Sequence, residues 1–75
     1  TLRLALARSG RVSVCVFDLA GRRVRTLADE ARPAGEAEVQ WDGLDDAGRP
    51  VASGVYLVRL RSAGLDESRR VLRLR

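Results

Sequence analysis

Apolar side chains recur at every second position through most of this chain, and short glycine-bearing breaks separate one such run from the next. Successive side chains of an extended strand point to opposite faces, so this spacing predicts strands with one buried face. Leu2, Leu4 and Leu6 alternate with Arg3, Ala5 and Ala7. In RVSVCVFDL, Val12, Val14 and Val16 take one face while Cys15, Phe17 and Leu19 take the other, which predicts an interior strand or one whose outer face is covered. Ala37, Val39 and Trp41 oppose Glu36, Glu38 and Gln40; Tyr56, Val58 and Leu60 oppose Val55, Leu57, Arg59 and Arg61. At the end of the chain the same logic places Leu72 and Leu74 inward and Arg73 and Arg75 outward.

The breaks read as turns. Asp18-Leu19-Ala20-Gly21 combines an Asp that bonds to nearby backbone with a Gly that accepts positive φ. Pro33-Ala34-Gly35, Asp42-Gly43, Asp45-Asp46-Ala47-Gly48 and Ala63-Gly64 follow the same chemistry. In the segment 22–28 the anchors Val24 and Leu27 are three apart, an odd spacing that predicts a bulge or break. Asp29-Glu30 is read as the start of a polar loop, and no internal repeat stands out. No helix-length run of 3.6-residue periodicity exists; ADEAR is helix-permissive but too short to stand alone. The fold class is therefore all-β: an antiparallel β-sandwich of six to seven short strands.

Seventy-five residues make a single domain, 1–75. A chain of that size buries only roughly 60% of its unfolded surface, so few core positions are free for chemistry. It opens on Thr1 and contains no methionine, which reads as a piece of a longer protein. No run approaches the roughly 18 apolar residues needed to span a bilayer, so no membrane-spanning segment is expected. Cys15 is the single cysteine; no intrachain disulfide can form, and its place in an apolar strand favours core filling over nucleophilic chemistry.

All fourteen basic residues are arginine against ten acidic ones, a net charge of +4. The arginines are scattered among carboxylates, and one Phe, one Tyr and one Trp leave little to stack on bases, so nucleic acid is not an expected partner. With no histidine, imidazole-based triads and metal sites are excluded from these residues. Asp42, Asp45 and Asp46 raise the idea of a calcium loop, but their spacing does not follow the EF-hand pattern. Consecutive turns whose Asp side chains cap backbone amides are the favoured reading, and neither metal nor organic cofactor is expected. Paired carboxylates for glycoside hydrolysis would sit on a tight turn without a cleft. Trp41 and Tyr56 read as core anchors whose polar tips reach backbone partners at the edge of the sandwich.

Three ordered landmarks then stand out: GRVSVCVFDLAGRRVRTL, PAGEAEVQWDGLDDAGRPVASGVYLVRL and RRVLRLR. Their motif positions are Asp18, Gly21 and Arg22, then Gly35, then Trp41 and Gly43, then Gly48, Gly54 and Tyr56. In this order they resemble the C-terminal sorting domain of type IX secretion substrates, and they are similar to the related immunoglobulin-like module of the flagellar hook-capping protein. The resemblance covers nearly the whole chain and makes the stretch from Trp41 to Tyr56 an inter-strand connection in which Gly43, Gly48 and Gly54 allow reversals.

The sorting-domain resemblance implies a non-enzymatic role. Such a domain directs export and surface attachment of an upstream cargo domain, read by an outer-membrane translocon. It implies a location outside the cell or at its surface in a Gram-negative bacterium, reached through the periplasm. Candidate recognition residues are Arg69, Arg73, Leu74 and Arg75, with arginine standing where many members carry lysine. The hook-capping resemblance implies instead a structural or interaction module, in hook assembly or as a spacer beside a catalytic domain. Arginines on an edge strand also serve simply to discourage aggregation.

Overall fold

The structure is a computed structural model that describes residues 2–62 and 65–74, with Leu2 and Leu4 described through their backbone alone. Six strands follow one another along the chain among these residues: β1 (Leu2–Leu6), β2 (Gly10–Phe17), β3 (Arg23–Arg32), β4 (Gly35–Val39), β5 (Gly54–Ser62) and β6 (Leu65–Arg73). They form two antiparallel sheets, one of two strands in the order β1-β4 and one of four in the order β3-β2-β5-β6. The chain crosses between sheets after β1, after β3 and after β4. This all-β architecture is compatible with the expected immunoglobulin-like sandwich.

Period-two burial builds the core. In the pairing of β2 with β5, Val14 lies opposite Leu60 and Val16 opposite Val58. Directly opposed residues of antiparallel strands share a face, and this face is the most deeply buried surface of the protein, with Val14 and Val16 at 0% exposure. Val12, Ala28 and Tyr56 extend it, while Leu6 and Val39 from the two-stranded sheet and Val51 from the β4-β5 connection close it over. Among the described residues, no polar or charged residue is buried within it. The opposite face of β2 and β5 pairs Phe17 with Leu57 and Cys15 with Arg59. Cys15 is only half-buried there, its thiol near Thr26 and Ser13, so it belongs to the outer face and not to the core. Leu19 leaves the strand altogether and is exposed on the turn.

The odd spacing of Val24 and Leu27 has a structural counterpart. On β3, Ala28 pairs with Val14 and Thr26 with Cys15, leaving Leu27 as an extra residue; Arg25 pairs with Val16 and Arg23 with Phe17, leaving Val24 as another. Both extra residues pack against the core. Two bulges thus let consecutive anchors on one strand reach the same interior despite a spacing that a regular strand would put on opposite faces. Asp29 and Glu30 do not begin a loop: β3 continues to Arg32, pairing Asp29 with Ser13 and Glu30 with Val12. Edge strands carry charged side chains readily because their surroundings are wet, which is why this half of β3 reads as a loop by composition.

The end of the chain departs from its expected orientation. Tyr56 pairs with Val71 and Val55 with Leu72, so Val71 takes the core side and Leu72 the outer side. Leu72 is 64% exposed and Leu74 72% exposed. The cause lies one strand away, because the two-residue parity of β6 is fixed by β5, whose core face is Tyr56, Val58 and Leu60. Arg69 and Glu67 consequently share the face of Val58 and Leu60, yet both are exposed. Two strands are too few to roof a four-stranded sheet to its edge. The expected turn at Ala63-Gly64 and the expected orientation of Arg75 lie outside the described residues, as does the burial of Leu2 and Leu4.

Candidate functional site

The motif residues converge on one end of the sandwich, where two loops share a five-residue design. Asp18-Leu19-Ala20-Gly21-Arg22 and Asp45-Asp46-Ala47-Gly48-Arg49 are the same D-x-A-G-R sequence, a local repeat hidden by the alternation around it. In the first loop Asp18 N–H donates to Arg22 O at 3.0 Å and Gly21 N–H to Asp18 O at 3.0 Å. In the second, Asp45 N–H donates to Arg49 O and Gly48 N–H to Asp45 O, both at 2.9 Å. Each Asp carboxylate closes its own turn: Asp18 Oδ1 accepts from Ala20 N–H (3.0 Å) and Arg22 N–H (2.9 Å), and Asp45 Oδ1 accepts from Ala47 N–H and Arg49 N–H, both at 2.9 Å. Gly21 and Gly48 sit at φ of 85° and 80°, a conformation that side-chain-bearing residues adopt only with strain.

The second loop is also docked onto β3. Asp46 N–H donates to Val24 O and Thr26 N–H donates to Asp46 Oδ1, both at 3.0 Å, which satisfies the free edge of β3 beside its bulges. Half-buried Arg25 holds the loop from below, one guanidinium nitrogen facing Asp42 Oδ1 at 3.2 Å and the carbonyls of Leu44 and Asp45 at 3.4 Å. Asp42, Asp45 and Asp46 are therefore engaged in three different directions. No group of three ligating carboxylate or thiol side chains comes together among the described residues.

Trp41 and Tyr56 sit under this connection as anchors with polar tips. Trp41 Nε1–H donates to Leu44 O at 2.9 Å, and Tyr56 O–H donates to Ala52 O at 2.7 Å. Their rings meet edge to face, centroids 5.2 Å apart at 70°. Gly43 turns the chain at φ 79°, and a Cβ built on it would overlap the Arg73 guanidinium, which donates to Asp42 O at 3.2 Å. The glycine of the Trp-Asp-Gly motif thus makes room for an arginine arriving from β6. Gly35 and Gly54, by contrast, are the first residues of β4 and β5, so Gly54 opens a strand and does not reverse the chain.

Of the candidate recognition residues, Arg69 and Leu74 are exposed, Arg73 is half-buried against the loop, and Arg75 lies outside the described residues. The sequence reading places the capped turn at Asp45–Gly48 correctly; what it misses is Arg25, the docking of Asp46 on β3, and the kinship of the two loops, for which the repeated pentapeptide was the available signal. Elsewhere arginines meet carboxylates across both sheets, as in Arg3 with Glu38, Arg11 with Asp29, Arg32 with Glu30 and Arg59 with Asp66. Exposed pairs of this kind each contribute about 0–1 kcal/mol.

Electrostatics reinforces the architectural reading. The Arg22 N–H bond is the largest cause holding the Asp18 carboxyl below its ordinary value; partial desolvation opposes it, and the Arg22 charge and Ala20 N–H add to it. Asp45 is lowered in the same way, first by the Arg49 N–H, against desolvation and with help from Ala47 N–H and the Arg49 and Arg25 charges. A carboxylate pushed further from neutral pH is a poorer general base. The depression between the loops, lined by Asp18, Arg22, Asp45 and Tyr56 among others, is wide open to solvent.

Against known proteins, the family model described as the FlgD Ig-like domain matches residues 2–66. The chain belongs to the FlgD Ig-like domain family. The family takes in the immunoglobulin-like module of the flagellar hook-capping protein and is described as one of structural modules. The type IX sorting-domain resemblance finds no support in the match. The matched segment holds every D-x-A-G-R, Trp-Asp-Gly and Tyr56 landmark and stops inside β6, before Arg69. No curated protein and no solved structure matches the chain. Among the described residues, no helix is long and apolar enough to cross a membrane.

Two predictions follow from this geometry. Folded-state pKa values of Asp18 and Asp45 lie below the unfolded value of about 3.9, so their stabilisation is full above that pH and is lost as pH falls through the folded values. Urea midpoints measured from about pH 2 to 6, on both sides of the unfolded value, flatten on the acid side in Asp18→Asn and Asp45→Asn; an unchanged acid limb refutes the assignment. Gly43→Ala costs about 1–3 kcal/mol through its left-handed backbone and the overlap with Arg73. In an Arg73→Ala background that cost falls by about 0.5 kcal/mol or more, because the two residues are in contact.

Proposed function

We propose that the chain is a structural and interaction module: an immunoglobulin-like unit that spaces or docks neighbouring parts of a larger assembly, as in flagellar hook capping, and performs no catalysis. The observation that carries this reading is the family match over residues 2–66. It is supported by the use made of the motif residues, since Asp18, Asp45, Trp41 and Tyr56 all spend their polar groups on the protein's own backbone. A recognition or catalytic site needs polar groups left over for a ligand, whereas these are occupied in holding loops.

The export role implied by the sorting-domain resemblance would operate through β6, where Arg69 and Leu74 are exposed and Arg73 is tied to the loop of Asp42. The two roles separate cleanly by experiment. The chain is fused to the C-terminus of a periplasmic reporter in a host with a working type IX system. A structural module leaves the reporter in the periplasm, as it is without the fusion; translocon-dependent appearance of the reporter at the surface refutes the proposal in favour of an export address.

A further inference from the structure

The two edges of the four-stranded sheet are treated differently. β3 is covered over its bulged stretch, which is bonded to Asp46 through Val24 O and Thr26 N–H. β6 has no such cover: among the described residues its backbone pairs only with β5. An open edge is a template for another strand unless its side chains forbid the approach.

The side chains of β6 have an unusual order. Leu65-Asp66-Glu67-Ser68-Arg69-Arg70-Val71 runs apolar, acidic, acidic, serine, basic, basic, apolar, so that charge inverts about Ser68 while polarity is symmetric. We propose that β6 is a self-complementary docking edge, and that a second copy of this chain pairs with it antiparallel about a two-fold axis at Ser68, joining two four-stranded sheets into one of eight strands. In that register Asp66 lies opposite Arg70 of the second copy, Glu67 opposite Arg69, and Leu65 opposite Val71, each pair occurring twice. A two-fold axis normal to the sheet reverses the strand and preserves its faces, so both partners of each pair stand on the same side.

Neighbouring registers are penalised. A shift by two residues in one direction sets Arg69 against Arg69; in the other it sets Glu67 against Glu67. A shift by one turns every side chain to the wrong face. Like charges directly opposed across strands are destabilising and opposite charges stabilising, so the sequence selects a single alignment.

The groups required are available. Asp66, Glu67, Ser68, Arg69 and Arg70 are all exposed, and Arg70 makes no ion pair among the described residues. Arg69 reaches Glu67 of its own strand only at 3.8 Å, a loose contact that a cross-strand partner can replace. Asp66 already accepts two bonds from Arg59, at 3.0 and 2.8 Å, and a carboxylate retains lone pairs for a further donor. Leu65 and Val71, partly buried against the core, would carry the apolar layer across the junction. Charges on an edge ordinarily repel strands of any kind; an inverted order about one serine repels unlike edges while matching a copy of itself.

Sedimentation equilibrium of the 75-residue chain tests this, with Trp41 fluorescence confirming the fold of each variant. The expected result is a monomer–dimer equilibrium of the weak class, in the range of about 10 μM to 1 mM, set by a small edge interface, and weakened further by salt. Glu67→Arg and Arg69→Glu, both at exposed positions, each weaken dimerisation at least about tenfold because like charges now oppose one another. Mixing the two variants restores association as a heterodimer, since each strand supplies the charges the other lacks. A wild-type chain that remains monomeric to about 1 mM, variants that dimerise as tightly as wild type, or a mixture no more associated than its components would each overturn the proposal. A monomeric chain would leave the structural-module reading standing, because that reading does not require self-association.

Discussion

The contact between the core faces of β2 and β5 is the constraint on which the remaining structure depends. Val14 against Leu60 and Val16 against Val58 form the driest part of a core that, among the described residues, buries small and medium apolar side chains around Tyr56. A chain this short has no second core to fall back on. Once those two strands are paired, the parity of β6 follows from β5 and that of β3 from β2, and the two-stranded sheet is needed to keep water off the valines. Its narrowness is the reason β6 shows charged residues on a face that, one strand further in, is fully buried.

The loops extend the same logic to the end of the sandwich. Reversing a chain leaves backbone donors and acceptors without partners, and unsatisfied ones are costly where side chains shield them from water. Here Asp18 and Asp45 close their own turns, Asp46 bonds to the edge of β3, and Arg25 gathers the carbonyls of Leu44 and Asp45. No buried side-chain nitrogen or oxygen is left without a partner among the described residues. An arrangement that uses its polar groups this fully is suited to holding shape, which accords with membership of the FlgD Ig-like domain family.

Sequence reading succeeds or fails here according to how local the determining interaction is. The valines of β2, the Tyr56-Val58-Leu60 face and the capped turn at Asp18 are legible because each is fixed by residues within one strand or one turn. The bulges of β3 could be sensed from the spacing of Val24 and Leu27, but locating them required the partner strand. Leu72 and Leu74 mislead because alternation says which residues share a face, not which face another sheet covers. The roles of Arg73 over Gly43 and of Asp46 on β3 arise between segments about thirty and twenty residues apart in the chain, beyond the reach of pattern.

Amide hydrogen exchange followed by NMR tests the primacy of the β2-β5 contact most directly, because amides that open only on global unfolding mark the element holding the fold together. The account predicts that the slowest-exchanging amides lie in the middle of β2 and β5, with β1 and β4 opening sooner as a separable cover. It would be contradicted if β1 and β4 held the slowest amides, or if β2 and β5 exchanged as fast as the connection from Gln40 to Ser53.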